Sequence, residues 1–163
     1  MEIVIQTEIS RLRGFIGAQI ELAKVYGIIK PLQFFHRNRC YDEKLDIMRN
    51  MEKGTTGRAI ADMLDTNRLK LIPKFEEHDL KHTLLGYGMS PEEELRMQAY
   101  LLGNGNRSLF CSLFLSSGIF LPWIWKQLRE DYDKGKNAPS ILDIKIDESL
   151  PVPLYQLINK YRG

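Results

Sequence analysis

The stretch His78-Asp79-Leu80-Lys81-His82 is where residue types and spacing together could do chemistry. Histidines four positions apart sit one helical turn apart, so their ring nitrogens can converge on a single ion. The chain has only three histidines, which makes a pair at this spacing informative. Asp79 lies about 100° round a helix from His78 and about 60° from His82, so its carboxylate can complete one arc with the two rings. Glu94, after eleven intervening residues, offers a fourth donor. Imidazole with carboxylate suits zinc, iron(II) or manganese and does not choose among them. Two carboxylates would also neutralise a divalent cation, leaving no net buried charge.

These four residues need two helices to position them. Pro73 suits a helix start, and Gly86 and Gly88 suit an end, which predicts a helix over roughly 73–85. On it Phe75, His78, Asp79, His82 and Leu85 share one face, where an ordinary amphipathic helix would be apolar. Ser90-Pro91-Glu92-Glu93 reads as a capping box opening a second helix over roughly 91–102. There Glu94 aligns with Met97, Gln98 and Leu101 and should face inward. Antiparallel packing across the glycine turn would bring Glu94 back towards His82.

A structural alternative makes His78 a half-exposed surface residue and pairs Asp79 with Lys81 or another nearby cation. Position argues against it, because burying a bare carboxylate on that stripe is strongly unfavourable unless it is paired or ligated. A second alternative is a His-Asp metal phosphohydrolase. It would need His36 upstream as a further ligand, and His36→Ala would discriminate.

The totals bound the rest. A length of 163 residues, 44% hydrophobic and 27% charged, predicts one folded domain over 1–163. A net charge of +2, with no basic run interleaved with aromatics, gives no signal for nucleic acid. Cys40 and Cys111 suggest no disulfide framework. The segment 1–8 lacks the features of a secretory signal or transit peptide, so a bacterial cytoplasmic location is expected.

The remaining pattern is helical. Leu12, Phe15, Ile16, Gln19, Ile20 and Ala23 keep helical spacing within 10–29, and 32–52 reads as another helical stretch. Thr56 is the expected cap of a short helix through Leu64. The run 108–125 carries no charge; with Gly118 and Pro122 inside it, a buried central helix bent at the proline is expected rather than a membrane span. Trp123, Trp125, Lys126 and Arg129 leave room for contact with a membrane surface. Lys134–Pro139 reads as a loop, Ile141, Ile144 and Ile146 as a short extended piece, and 151–161 as a last helix. The expected fold is all-α.

His78-Asp79-x-x-His82, eleven residues and then Glu94 resembles the signature of the Coq-four family of coenzyme Q (ubiquinone) biosynthesis proteins. His82-Thr83-Leu84-Leu85-Gly86 continues the likeness, and Thr56-Gly57-Arg58-Ala59-Ile60 with Pro73 is similar to an upstream segment of that family. The resemblance covers residues 50–105, and Glu93 stands where the family commonly has glycine. It implies a compact helical domain with a buried apolar channel, and a divalent metal, zinc first, on His78, Asp79, His82 and Glu94. It implies a prenylated quinone-precursor lipid as ligand, for which Phe15, Ile16, Ile20, Phe110 and Phe114 are candidate walls. It also implies other quinone-biosynthesis enzymes as partners, with peripheral attachment to the inner face of the membrane; a homodimer is compatible. The activity it implies is removal of the ring carboxyl at C1 of a prenylated 4-hydroxybenzoate, with hydroxylation at that carbon. The rival is a non-catalytic isoprenoid-lipid carrier or scaffold in which the metal only fixes two helices.

Overall fold

In a computed structural model, residues 11, 15, 39–72 and 74–162 are described. Arg11 and Phe15 are helical. From residue 39 onward the described chain forms α1 (Arg39–Arg49), α2 (Thr56–Thr66), α3 (Glu76–Leu85), α4 (Pro91–Gly103), α5 (Leu109–Ser116), α6 (Trp125–Asn137), α7 (Ile146–Ser149) and α8 (Leu154–Tyr161). Two 3-10 turns, Ser117–Phe120 and Pro122–Ile124, link α5 to α6. Among the described residues there is no strand; one isolated bridge pairs Thr55 with Pro153. The all-α expectation holds.

Three helix starts, those of α2, α4 and α5, follow side-chain chemistry. Ser90 accepts a hydrogen bond from the Glu93 amide at 3.2 Å, with Pro91 at the first helical position, as its sequence implies. Glu93 does not reach back to complete the box, because its oxygens go to the Gly88 amide and to Arg96. In α2 the cap is Thr55, which accepts from the Arg58 amide, rather than Thr56. The Thr56 hydroxyl instead donates to the Val152 carbonyl, 2.8 Å away, and ties α2 to the C-terminal segment.

Other expectations give way. Helix α3 begins at Glu76, three residues later than Pro73 implies, because Lys74 adopts a left-handed φ of 68° and breaks the run. It ends where expected, with Gly86 at φ 75°, a conformation that favours glycine. The stretch expected as a loop at Lys134–Pro139 stays helical to Asn137, since Gly135 lies against α4. Added β-carbons on Gly103 and Gly135 would overlap the carbonyl oxygens of Tyr132 and Tyr100, so the two backbones touch and the interface selects glycine. Ile141 and Ile144 lie in a turn and Ile146 opens α7, all three buried, instead of forming an extended piece.

The apolar run at 108–125 departs furthest. It is no buried rod: α5 lasts eight residues and the two 3-10 turns follow. Leu109, Leu113, Ile119 and Phe120 are all more than 60% exposed, while Cys111 and Leu121 turn inward. Four serines and a glycine divide the run, and Pro122 blocks continuation. Among the described residues no helix is long and apolar enough to cross a membrane.

The main core joins Leu45 and Met48 of α1, Ile60 and Leu64 of α2, Leu80 and Leu84 of α3 and Met97 and Leu101 of α4. Leu95, Leu121 and Ile124 form a smaller cluster. Helix α3 has close backbone neighbours in α2 and α8, whereas those of α4 are α6 and α5. The expected hairpin of α3 on α4 is therefore a looser pair, bridged by side chains.

Candidate metal centre

The side chains that bridge α3 and α4 are the ones singled out by spacing. His82 Nε2 lies 3.1 Å from His78 Nε2 and 3.1 Å from Glu94 Oε2, and His78 Nε2 lies 3.4 Å from the same oxygen. His82 and Glu94 are 1% exposed, and the His78 side chain 22%. The two rings meet edge to face at 4.7 Å between centroids.

Orientation of the His82 ring comes from the turn after α3. Its Nδ1 lies 3.1 Å from the Tyr87 carbonyl oxygen, which can only accept, so Nδ1 carries the hydrogen and donates. In the neutral ring Nε2 then presents a lone pair, aimed at a carboxylate oxygen. Two lone-pair donors at that separation call for a positive charge between them, either a ring proton or a metal ion. The triangle fits an ion: its corners are about 1.9 Å from their common centre. A point roughly 2.0–2.1 Å from all three therefore exists just off their plane, the bond length zinc takes to nitrogen and oxygen. Two histidines and one carboxylate on one face also suit iron(II).

Glu94 is held by Gln98, one turn along α4, whose amide nitrogen donates to Glu94 Oε1 at 2.9 Å and leaves Oε2 to the cluster. The side-chain carbonyl oxygen of Gln98 is buried and has no hydrogen-bond partner among the described residues. The Cys111 thiol donates to the Gln98 backbone carbonyl at 3.4 Å, and burial pushes that thiol up from its ordinary value. Spacing brings out Gln98 only as an inward-facing residue; a polar side chain one turn from Glu94 is the available signal. The Tyr87 carbonyl has none, since backbone acceptors leave no trace in side-chain pattern.

Of the four expected ligands, three converge. Asp79 is half-buried beside them on α3, and its carboxylate is not in the set that closes within 4.8 Å. Its backbone carbonyl accepts from the Thr83 hydroxyl. Lys81 is half-buried, and burial lowers its ammonium from the ordinary value. Arg96 binds Asp131 and Glu93. Of the expected lipid walls, Phe15 is 63% exposed and Phe114 packs half-buried against the smaller cluster. Ile16, Ile20 and the side chain of Phe110 lie outside the described residues, as does His36 of the phosphohydrolase alternative.

No protein-family model matches this chain, and no curated protein matches it. Among solved structures it is similar to a “Putative ubiquinone biosynthesis protein” from Nostoc punctiforme PCC 73102, with a TM-score of 0.58 and 18% identity. The match covers 97% of this chain and 90% of that one. At that identity the likeness is one of fold: the helical architecture that carries the His78–His82–Glu94 cluster is shared, nearly end to end, with a protein of that description.

Proposed function

We propose that this chain is a divalent-metal-binding protein of quinone biosynthesis that binds or acts on a prenylated aromatic intermediate. One observation carries the reading: two imidazole nitrogens and a carboxylate oxygen converge, largely buried, within 3.4 Å of one another. The shared fold with a protein described as belonging to ubiquinone biosynthesis supports the pathway.

His78, His82 and Glu94 would hold the ion, zinc first with iron(II) or manganese as alternatives, and Asp79 is the neighbouring carboxylate able to join them. When bound, the ion supplies Lewis acidity towards a substrate carboxylate or phenolate. The chain's own residues do the positioning. Tyr87 fixes the His82 tautomer, Gln98 fixes the Glu94 rotamer, and burial of both ligands excludes water from one side of the centre. The finer assignment is loss of the C1 carboxyl of a prenylated 4-hydroxybenzoate with hydroxylation at that carbon, a net oxidation that requires a co-substrate oxidant. The exposed apolar residues of 109–125, flanked by Lys126 and Arg129, would rest on the membrane where such a lipid resides.

A scaffold or carrier role is the second reading. It is favoured by the lack, among the described residues near the cluster, of a separate nucleophile, since Cys111 is buried with its thiol pushed up. Metal analysis of the purified protein, with mass spectrometry of co-purified lipid, tests the proposal. The expected result is about one divalent ion per chain, lost in His82→Ala. Metal-free wild-type protein overturns it. His78→Ala then separates the two roles: lost helicity marks a structural ion, and intact helicity with lost turnover marks catalysis.

A further inference from the structure

Helix α4 also borders a cavity that the metal cluster does not use. Glu93, Arg96 and Tyr100 follow i, i+3, i+7 and lie on a different side of the helix from Glu94 and Gln98. The cavity holds about 380 Å³ between the C-terminal end of α3, α4, α6 and the residue after α8. Neither of its tyrosines offers an open ring face: the Arg96 guanidinium lies 5.6 Å from the centroid of the Tyr87 ring, and Tyr100 is 5% exposed. What the cavity offers a ligand is charge and a hydroxyl.

The charges there do not cancel. Buried Asp131 accepts from Arg96 Nε at 2.7 Å and Lys134 Nζ at 2.9 Å, and Glu93 accepts from Arg96 Nη1 at 2.7 Å. Both acids at the cavity are thus matched by Arg96 and Lys134. Arg162 is the surplus cation, with no carboxylate in ion-pair distance among the described residues. It lies over Gly86, its Nη1 3.3 Å from where a β-carbon would stand. Lys134 retains donors beyond the one given to Asp131.

A second observation, independent of that surplus, marks the same place. Tyr100 lines the cavity, and its hydroxyl is buried with no hydrogen-bond partner among the described residues, a state that folding normally avoids. Arg162 is near enough to act on it: burial pushes the phenol up, and the guanidinium charge works against that push. A trapped water would satisfy the hydroxyl but not the cation beside it. An anion with several acceptor oxygens satisfies both.

We propose that this cavity binds a soluble phosphate group, free or as a monoester, with Arg162 and Lys134 on its charge and the Tyr100 hydroxyl donating to one of its oxygens. Donors arriving from three separate elements suit a tetrahedral oxyanion, which accepts on every side, better than a planar carboxylate. The place of the cavity in the fold favours a soluble source over a lipid headgroup. Asp131 and Lys134 lie about 9 and 14 Å along α6 from Trp125, set back from the exposed apolar segment that precedes the helix. The competing account makes Arg162 only a cation near the negative end of α3, and it leaves the Tyr100 hydroxyl unexplained. The site uses none of the residues of the metal cluster.

Titration calorimetry of the full chain with inorganic phosphate at fixed ionic strength tests this. Saturable binding is expected, with glycerol 3-phosphate competing and acetate not. Arg162→Gln should weaken it at least about tenfold and Tyr100→Phe about fivefold. Without phosphate, Tyr100→Phe should melt no lower than wild type, because the hydroxyl it removes had no partner. No saturable binding, equal competition by acetate, or undiminished binding by either variant overturns the proposal. Phosphate held by a metal ion on His78, His82 and Glu94 would show as undiminished binding by both variants. Vesicles containing phosphatidic acid supply the lipid arm: equal recovery of wild type and Arg162→Gln is expected, and poorer recovery of the variant overturns the soluble assignment. Should Arg162→Gln fail to fold, Tyr100→Phe decides alone.

Discussion

At the scale of single residues, the His78–His82–Glu94 cluster depends on neighbours outside it. Gln98 spends its amide nitrogen on Glu94, so removing it frees the carboxylate to rotate. Gln98→Ala is expected to weaken divalent-metal affinity by about 10–100-fold while leaving the helix content unchanged, measured by competition with a chelating dye. An unchanged affinity would assign Gln98 to packing alone. Much of this was legible in sequence: the His78–His82 spacing and the inward register of Glu94 both survive. Asp79 shows the limit of such reasoning, since a position on a helix face does not fix where a rotatable carboxylate goes. The lone-pair opposition between His82 and Glu94 was also hidden, because it arises from the backbone carbonyl of Tyr87, which side-chain spacing does not encode.

At the scale of elements, α4 and α6 form the frame. They touch backbone to backbone at Gly103 and Gly135 and are tied by Asp131, which Arg96 and Lys134 grip. Burial alone would push the Asp131 carboxyl up; hydrogen bonds from Arg96, Lys134 and Tyr87 outweigh it and hold the group below its ordinary value. A depressed folded value means the stabilisation is present above the unfolded pKa of about 3.9 and is lost as pH falls through the folded one. Asp131→Asn is expected to cost about 3 kcal/mol at pH 7, the low end for breaking a buried pair because Arg96 is 28% exposed. In urea unfolding the gap to wild type should narrow once pH drops below about 4. A gap independent of pH would mean that shape, not charge, is what Asp131 contributes. Helices α1 to α4 and α8 could be foreseen from periodicity and caps, whereas α6 and α7 were not and α5 was expected as part of one longer buried helix. The late start of α3 and the run of α6 to Asn137 turn on a left-handed Lys74 and a glycine contact that only the tertiary fold reveals.

At the scale of the whole molecule, the 109–125 segment holds most of the strongly exposed large apolar side chains among the described residues. Leu113 and Phe120 are 62% and 67% exposed, and Lys126 and Arg129 stand exposed at the end of the segment. Hydropathy alone sends such a run to the interior, which is why the sequence expectation failed: it measures apolar content but not whether a partner surface lies inside the molecule or outside. Co-sedimentation with vesicles containing anionic lipid should recover the wild-type protein, and Leu113→Glu with Phe120→Glu should release it at unchanged helix content. Equal recovery of both proteins would exclude this face as the anchor.

The cluster between α3 and α4 is lopsided. His82 sits at the closed side, its ring pinned by Tyr87 and wholly enclosed; His78 stands in the opening turn of a helix whose start has no side-chain cap. An ion trading places with solvent would therefore slip its hold on His78 first and on His82 last, so that the two rings, alike in chemistry, divide into a doorway and a doorpost.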